Sequence, residues 1–482
     1  MKLDNNKRVI IGKADFFRKR IFRHSMGLRI IVTGLLIMFF VVRTEAQNEQ
    51  RPNILIIMTD QQTADAMSAA GNRDLHTPAM DKLAANGVRF SRAYCVQPLC
   101  APSRTAIFSG RRPHETGFIG NVPEKDGLWP DSLLMMGKIF QAGGYKTGYV
   151  GKWHLSIPVS KISQHGFEYI QNTDFLDYND AATPSYCARF IRDHKKEPFL
   201  LVASFLNPHD ICEWARDEDL KMDVLKDAPA PELCPVLPAN WKKPAHEPEM
   251  VREQQKSNFR TYPSIHWTEG QWRQYRWAYN RLVEKVDNYI EMVLASLKKY
   301  GIEKNTIIIF TSDHGDGYAG HSWNQKQVLY EESIKVPFII SKIGQWKPRV
   351  DDMFICNGTD IIPTICGFTG VKAPSYLKGL DISKRLIAPT AILRDTLVVE
   401  TDFADNEELL GISGRAVITE GLKYIVYSKG KIREQLFDLV KDPGETNNLA
   451  VLPANESKLK AMRQYLKAWC KKNGDAFGQH VL

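Results

Sequence analysis

The sequence predicts an α/β protein with a large, mostly parallel sheet sandwiched by helices, followed by a smaller C-terminal antiparallel sheet and one closing helix. Three observations carry this. Apolar runs at residues 53–58, 199–205 and 306–311 have the pattern of strands buried on both faces. Helical segments alternate with such strands through about residue 370, which means a mostly parallel sheet covered on both sides. Beyond about residue 390, short strands separated by turn residues replace that alternation. With 43% hydrophobic and 25% charged residues, the composition excludes collagen-like, coiled-coil and wholly disordered chains.

In order, the first strand (residues 53–58) ends at Thr59 and Asp60. Thr77 and Pro78 open a helix with a capping hydroxyl and a first-turn proline, and Asn86-Gly87 closes it. A strand over 88–94 and a helix over 132–141 follow, the helix ended by Gly143-Gly144. Residues 146–150 return as a strand leading into Gly151-Lys152-Trp153-His154, and residues 199–205 lead into Asn207-Pro208-His209. Residues 210–263 are rich in Pro and charge without clear periodicity, so they read as a long insertion loop of the kind that carries specificity. Residues 272–300 place Tyr275, Tyr279, Leu282, Val286, Ile290, Val293 and Leu297 at helical spacing, a core-packing stripe. The strand over 306–311 ends at Ser312-Asp313-His314-Gly315, and a strand over 336–341 and a short helix over 361–366 follow. Strands over 396–400, 415–419, 423–427 and 435–439 and a helix over 455–471 complete the chain. This divides it into an N-terminal extension with a signal peptide (1–46), a catalytic α/β domain (47–390) and a C-terminal α+β subdomain (391–482).

The net charge of +9 is concentrated at the front: residues 1–46 hold ten bases and three acids, leaving +2 for residues 47–482. Bulk charge therefore gives no support to a nucleic-acid partner, and any anion site must be a local cluster. The 13-residue apolar run at 30–42 is too short for a comfortable membrane span of about 20 residues. It reads as the core of a signal peptide, with Arg29 in the n-region and Thr44 and Ala46 at a cleavage site, and an N-terminal anchor helix is the alternative. Met26 stands just before a conventional n-region and is an alternative start. The expected location is periplasmic or secreted, with no stable membrane span after cleavage. None of the eight cysteines forms a CxxC pair, so metal fingers and dithiol redox chemistry are not suggested.

Open α/β sheets bind ligands beyond the carboxyl ends of their strands. Asp60-Gln61, Lys152 with His154, His209, and Asp313-His314 each follow an apolar strand, so the topology can gather them at one rim. Singly, each has a structural reading as a helix cap, a solvated lysine or a satisfied histidine; their joint placement marks a site.

Between the first two of these lies Cys100-Ala101-Pro102-Ser103-Arg104, continued by Thr105-Ala106-Ile107-Phe108-Ser109-Gly110-Arg111. This resembles the signature of the type I, formylglycine-dependent sulfatases of the alkaline-phosphatase-like superfamily, with Phe108 the one mild departure. The resemblance extends to Arg51-Pro52-Asn53, Asp60, Gly151-Lys152-Trp153-His154, Thr311-Ser312-Asp313-His314-Gly315, Lys326, Tyr330-Glu331-Glu332, Leu436-Phe437-Asp438-Leu439 and Asp442-Pro443-Gly444-Glu445. It implies that a maturation enzyme oxidises Cys100 to formylglycine, whose hydrated gem-diol attacks sulfur with one hydroxyl and expels sulfate through the other. It also implies a divalent cation, expected to be Ca²⁺, on Asp60, Gln61, Cys100, Asp313 and His314. Gln61 stands where many relatives have Asp, and His314 where many have Asn. Arg104 is implied to balance the carboxylates and stabilise the gem-diol oxygen, Lys152 and Lys326 to grip sulfate, His209 and Lys326 to protonate the leaving alcohol, and His154 to take the proton that drives sulfate release. Asp313 is a further candidate base for the first attack. His321 and Trp323 are candidates for the border of a sugar subsite, with packing an equal alternative.

The expected activity is hydrolysis of a sulfate ester on a carbohydrate. The alternatives are a phosphonate or phosphate diester hydrolase of the same superfamily, and a catalytically inactive glycan-binding protein. The intact set of Cys100, Arg104, Lys152, His154, His209, Asp313 and Lys326 argues against the last.

Overall fold

Ile54, Ile56 and Met58 point to one face of strand β1 (Asn53–Asp60) and Leu55 and Ile57 to the other, and all five are fully buried because both faces are covered. The computed structural model describes residues 51–121, 134–155, 157–171, 179–218, 228–390, 393–405 and 408–481. Pro52–Leu482 forms one compact unit; the expected signal segment lies outside the described residues.

Seven further strands join β1: β2 (Gly87–Tyr94), β3 (Lys146–Gly151), β4 (Tyr169–Gln171), β5 (Phe199–Pro208), β6 (Thr306–Ser312), β7 (Phe338–Ser341) and β8 (Arg349–Cys356). Their order is β4-β3-β5-β1-β6-β7-β2-β8. Every neighbouring pair is parallel except those made by β7, which runs antiparallel to β6 and β2. A second sheet of β9 (Thr396–Asp405), β10 (Glu408–Thr419), β11 (Leu422–Tyr427) and β12 (Glu434–Asp438) is antiparallel throughout, in the order β12-β11-β10-β9. The fold class expected from sequence is the one observed.

The helices that position the site are α1 (Pro78–Ala85), α2 (Cys100–Ser109), α3 (Thr183–His194), α4 (Glu249–Thr261), α5 (Glu269–Lys299), α6 (Asn357–Thr369) and α7 (Glu456–Asn473). Helix α5 begins in a capping box, Thr268 with Gln271, and buries the predicted Tyr275 to Leu297 stripe against one face of the main sheet. The other face carries α2 and α6. Every residue of α2 is buried, and Gly110 ends the helix in the left-handed region at φ 69°. The second sheet packs one face, through Val399, Ala416, Ile418 and Phe437, into that same core, and its other face on Leu459, Met462 and Leu466 of α7.

Two expectations are corrected, and one strand goes unanticipated by the sequence. Thr77 does not cap α1: its hydroxyl pairs with Ser68 Oγ at 2.8 Å, and the Asp287 carboxylate of α5 accepts from the amides of Ala79 and Met80 at 2.9 Å each. Residues 210–263 are not a continuous loop, since they contain a short helix, Ile211–Ala215, and α4. Helix α4 escapes detection because its buried face includes Gln254, Gln255 and Ser257 beside Val251. Strand β8 was missed because it alternates, with Asp351 buried against Arg385 at 3.0 Å and Asp352 exposed.

Candidate active site

Strands β3, β5, β1 and β6 are consecutive neighbours running parallel, so their carboxyl ends share one edge. That edge brings together Lys152 after β3, His209 after β5, Asp60 and Gln61 at the end of β1, and Asp313 and His314 after β6. Helix α2 delivers Cys100 at its first residue and Arg104 one turn later, both buried.

Arg104 organises the two carboxylates. Its Nη2 donates to Asp60 Oδ2 and its Nε to Asp313 Oδ2, each at 2.8 Å, while Nη1 donates to Ser204 Oγ and the Lys152 carbonyl. One oxygen of each carboxylate is thus fixed by the guanidinium fork, a geometry lysine cannot reproduce. The other oxygens face Cys100 and His314: Asp60 Oδ1 lies 3.8 Å from Cys100 Sγ, and Asp313 Oδ1 lies 3.7 Å from His314 Nε2. Lys152 adds a second cation to Asp60 Oδ2 at 2.7 Å. Lys326 Nζ lies 3.1 Å from Cys100 Sγ, as does His314 Nε2.

Burial alone would raise the Asp60 carboxyl, but Lys152, His209, Arg104 and Lys326 hold it well below the usual range. Burial and the neighbouring Asp60 charge raise Asp313. Burial and Asp60 also oppose ionisation of the Cys100 thiol, yet Lys326, Lys152 and His314 bring it well below that of an ordinary cysteine. Burial lowers the His209 imidazole, but Cys212 and Asp60 outweigh it and the opposing lysines, raising it to about 10.

Ligand atoms of Asp60, Cys100, Asp313 and His314 all lie within 4.8 Å of one another. His314 Nδ1 donates to the Gly315 carbonyl at 2.8 Å, which leaves Nε2 facing the cluster, where the neutral form of the ring would offer its lone pair to a cation. Asp313 Oδ1 also accepts from the amides of Gln61 and His314 at 3.1 and 2.9 Å, which fix it beside the cluster. Two carboxylates whose second oxygens face the cluster and one oriented imidazole fit a divalent cation, and Asp60, Asp313 and His314 form a candidate metal site. Gln61, expected as a further ligand, is engaged elsewhere: its Nε2 donates to Asp316 Oδ2 and its Oε1 accepts from Lys326 Nζ, each at 2.8 Å. The Asp316 carboxylate and the Lys326 ammonium together dictate that orientation.

A cavity of about 220 Å³ adjoins the cluster, lined in part by Asn121, His209, Cys212, Gln325 and Lys326. His154, partly buried at φ 43°, stands two residues beyond Lys152. His321 and Trp323 are absent from the cavity lining and are almost fully buried. His321 stacks on Tyr330 with ring centroids 3.9 Å apart, and Trp323 belongs to the main core, its indole donating to the Lys326 carbonyl at 3.4 Å. Packing, not sugar contact, accounts for both. Ser204, Cys212 and Asp316 were not anticipated. Asp316 stands beside the Asp313-His314 motif and Cys212 three residues after His209, so proximity was the available signal; Ser204 is a lone hydroxyl inside an apolar strand.

A buried thiol flanked by paired carboxylates, an imidazole and two ammonium groups, at the carboxyl edge of a parallel sheet, defines a hydrolase of anionic esters. The chain belongs to the sulfatase family: the Sulfatase family model matches residues 52–371, and the model for the N-sulphoglucosamine sulphohydrolase C-terminal region matches residues 319–472. It is a sulfuric ester hydrolase by that membership. A Delta 4,5-hexuronate-2-O-sulfatase of Bacteroides thetaiotaomicron is 31% identical over 447 residues, covering 90% of this chain and 91% of the relative. An ulvan-active sulfatase of Formosa agariphila is 29% identical over 456 residues, covering 90% of this chain and 84% of the relative. The solved structure of a 2-O GAG sulfatase superposes with a TM-score of 0.77 at 28% identity, covering 89% of this chain and 94% of that one.

Proposed function

We propose that this protein is an exported sulfatase that removes sulfate from a carbohydrate, with formylglycine derived from Cys100 as nucleophile and Ca²⁺ as the cation. The observation that carries the reading is the Cys100 sulfur held within 3.1 Å of both Lys326 and His314 at the head of the signature helix. The sugar substrates named for the relatives support a carbohydrate ester. Residues 47–390 would be the catalytic domain and 391–482 the subdomain completing it. The basic, apolar front of the chain supports export to the periplasm or beyond, and maturation requires a formylglycine-generating partner enzyme.

Formylglycine at position 100 would supply a hydroxyl nucleophile and an exit by C–O cleavage, and a divalent ion on Asp60, Asp313 and His314 would neutralise charge on a sulfate oxygen. The chain's own residues do the rest. Arg104 keeps one oxygen of each carboxylate turned away, so that both present the other to the cluster. Lys152 and Lys326, both buried, hold the sulfate oxygens by charge where low dielectric strengthens such contacts. His209, protonated at neutral pH by its raised pKa, donates to the bridging oxygen of the leaving alcohol. Asp313 accepts the proton of the attacking hydroxyl, and His154 takes the proton whose loss releases sulfate.

Parallel assays of matured protein with an aryl sulfate, a phosphate diester and defined sulfated mono- and disaccharides test the reading. Sulfate release from the aryl ester and at least one sugar is expected; turnover of the diester alone would overturn it.

A further inference from the structure

Lys326 reaches the Cys100 sulfur from backbone that is held on both sides. Its neighbours Gln325 and Gln327 lie in the left-handed region, at φ 94° and 77°, which side chains other than glycine occupy only where surrounding contacts impose it. The Gln327 amide donates to the Pro98 carbonyl at 2.9 Å, and the Gln325 amide donates to Asp316 Oδ2 at 3.1 Å. Asp316 thus anchors the segment that carries Lys326.

The same carboxylate oxygen reaches the Lys326 ammonium a second way. It accepts from Gln61 Nε2, and Gln61 Oε1 accepts from Lys326 Nζ, each at 2.8 Å. A flipped amide would set oxygen against carboxylate and N–H against ammonium, so Gln61 has one orientation. Its main chain is pinned as well, the carbonyl accepting from the Tyr279 hydroxyl at 2.6 Å and the amide donating to Asp313 Oδ1 at 3.1 Å. Asp316 is fully buried, and its Oδ1 accepts from the Tyr275 hydroxyl of α5 at 2.8 Å and from the Tyr318 amide at 2.7 Å. Every link in the chain from the helix core to the ammonium is therefore a hydrogen bond of fixed direction. An amide suits position 61 because it donates to a carboxylate on one side and accepts from an ammonium on the other; a carboxylate there would meet Asp316 without a donor.

Resting on the sulfatase reading, we propose that Asp316 is a positioning residue for Lys326. Through the Gln61 amide and the Gln325 peptide it fixes the ammonium beside the nucleophile position, and it acts on the reaction only through that lysine.

The test uses full-length matured enzyme with Ca²⁺, with rates taken per formylglycine-bearing chain, on a sugar sulfate and an activated aryl sulfate. In Asp316→Asn either orientation of the new amide sets an N–H against a main-chain amide, that of Tyr318 or that of Gln325, and the charge holding Gln61 is lost. Asp316→Asn should lower kcat/KM by about 10- to 100-fold on both esters alike, the pattern expected of a displaced Lys326. Gln61→Met, which removes the amide and leaves the other Asp316 contacts in place, should lower it on both by about tenfold. Neither variant should shift the Ca²⁺ concentration for half-maximal rate by more than about twofold. In a Lys326→Ala background both substitutions should cost almost nothing further, because residues that act as a unit are not additive. Additive losses in that background would make Asp316 a merely structural residue, and a raised Ca²⁺ requirement in Gln61→Met would make Gln61 a metal ligand; either would overturn the inference while leaving the sulfatase reading intact. Absence of sulfate release by wild type from both esters would overturn both.

Discussion

The Lys326 ammonium lies 3.1 Å from the Cys100 sulfur and 2.8 Å from Gln61 Oε1, so one side chain touches the nucleophile position and is oriented by the end of β1. His209 lines the adjoining cavity without that link to the nucleophile. The two residues therefore separate by leaving group. An alkoxide needs a proton at the bridging oxygen, whereas an activated aryl sulfate needs little help. His209→Ala should lower kcat on a sugar sulfate by roughly 10²- to 10⁴-fold and spare an activated aryl sulfate much more. Lys326→Ala should impair both esters, because it removes charge that faces sulfate throughout. Equal losses on both esters in His209→Ala would make His209 a sulfate binder.

Metal dependence follows from the pairing of Asp60 and Asp313 by Arg104. Chelation should abolish turnover and Ca²⁺ should restore it. Asp313→Asn should lose far more activity than Gln61→Ala, because Asp313 offers a charged oxygen to the cluster while the Gln61 amide is committed to Asp316 and Lys326. Steady-state rates after exhaustive chelation and readdition check this, and full activity without metal would contradict it.

Acid stability has an identifiable source outside the active site. Glu400 of β9 is buried between Arg415, His114 and Arg112, with His114 Nδ1 at 2.9 Å and Arg112 Nη1 at 3.3 Å. Burial raises its carboxyl, but Arg415, His114 and Arg112 bring it down to about 2. A depressed carboxylate contributes stability that is present above its unfolded pKa and is lost as pH falls through the folded value. Glu400→Gln should therefore cost about 3 kcal/mol at pH 7 by stranding buried cations. The gap in Tm between wild type and variant should narrow between about pH 4.5 and pH 2. Thermal melts across that range check it; a pH-independent gap would assign the loss to packing.

The central strands and the rim were readable from sequence because a parallel strand buried on both faces is a run of apolar residues, and its first polar residue falls at the functional edge. Asp60, Lys152, His209 and Asp313 all appear that way. Cys100 and Arg104 were visible through the signature, although nothing in local periodicity reveals that α2 is buried all round. What stayed hidden is set by distant partners. Asp287 caps a helix some two hundred residues away in sequence, and Gln61 is turned toward Lys326 and Asp316 by charges that only the fold assembles. Helix α4 buries amides where a periodicity argument looks for apolar side chains, so the stretch that supplies Gln254 read as loop. His321 and Trp323 lie close to Lys326 along the chain, but intervening backbone in the left-handed region, including Gln325 at φ 94°, separates their direction from that of Lys326.

The identity of the nucleophile is tested most directly by the mass of the peptide spanning Cys100, taken from protein that releases sulfate. Conversion of the thiol side chain to an aldehyde lowers that mass by about 18 Da, and the modified fraction should rise in proportion to specific activity across preparations of differing maturation. Fully active protein whose peptide carries only the unmodified cysteine would contradict the assignment.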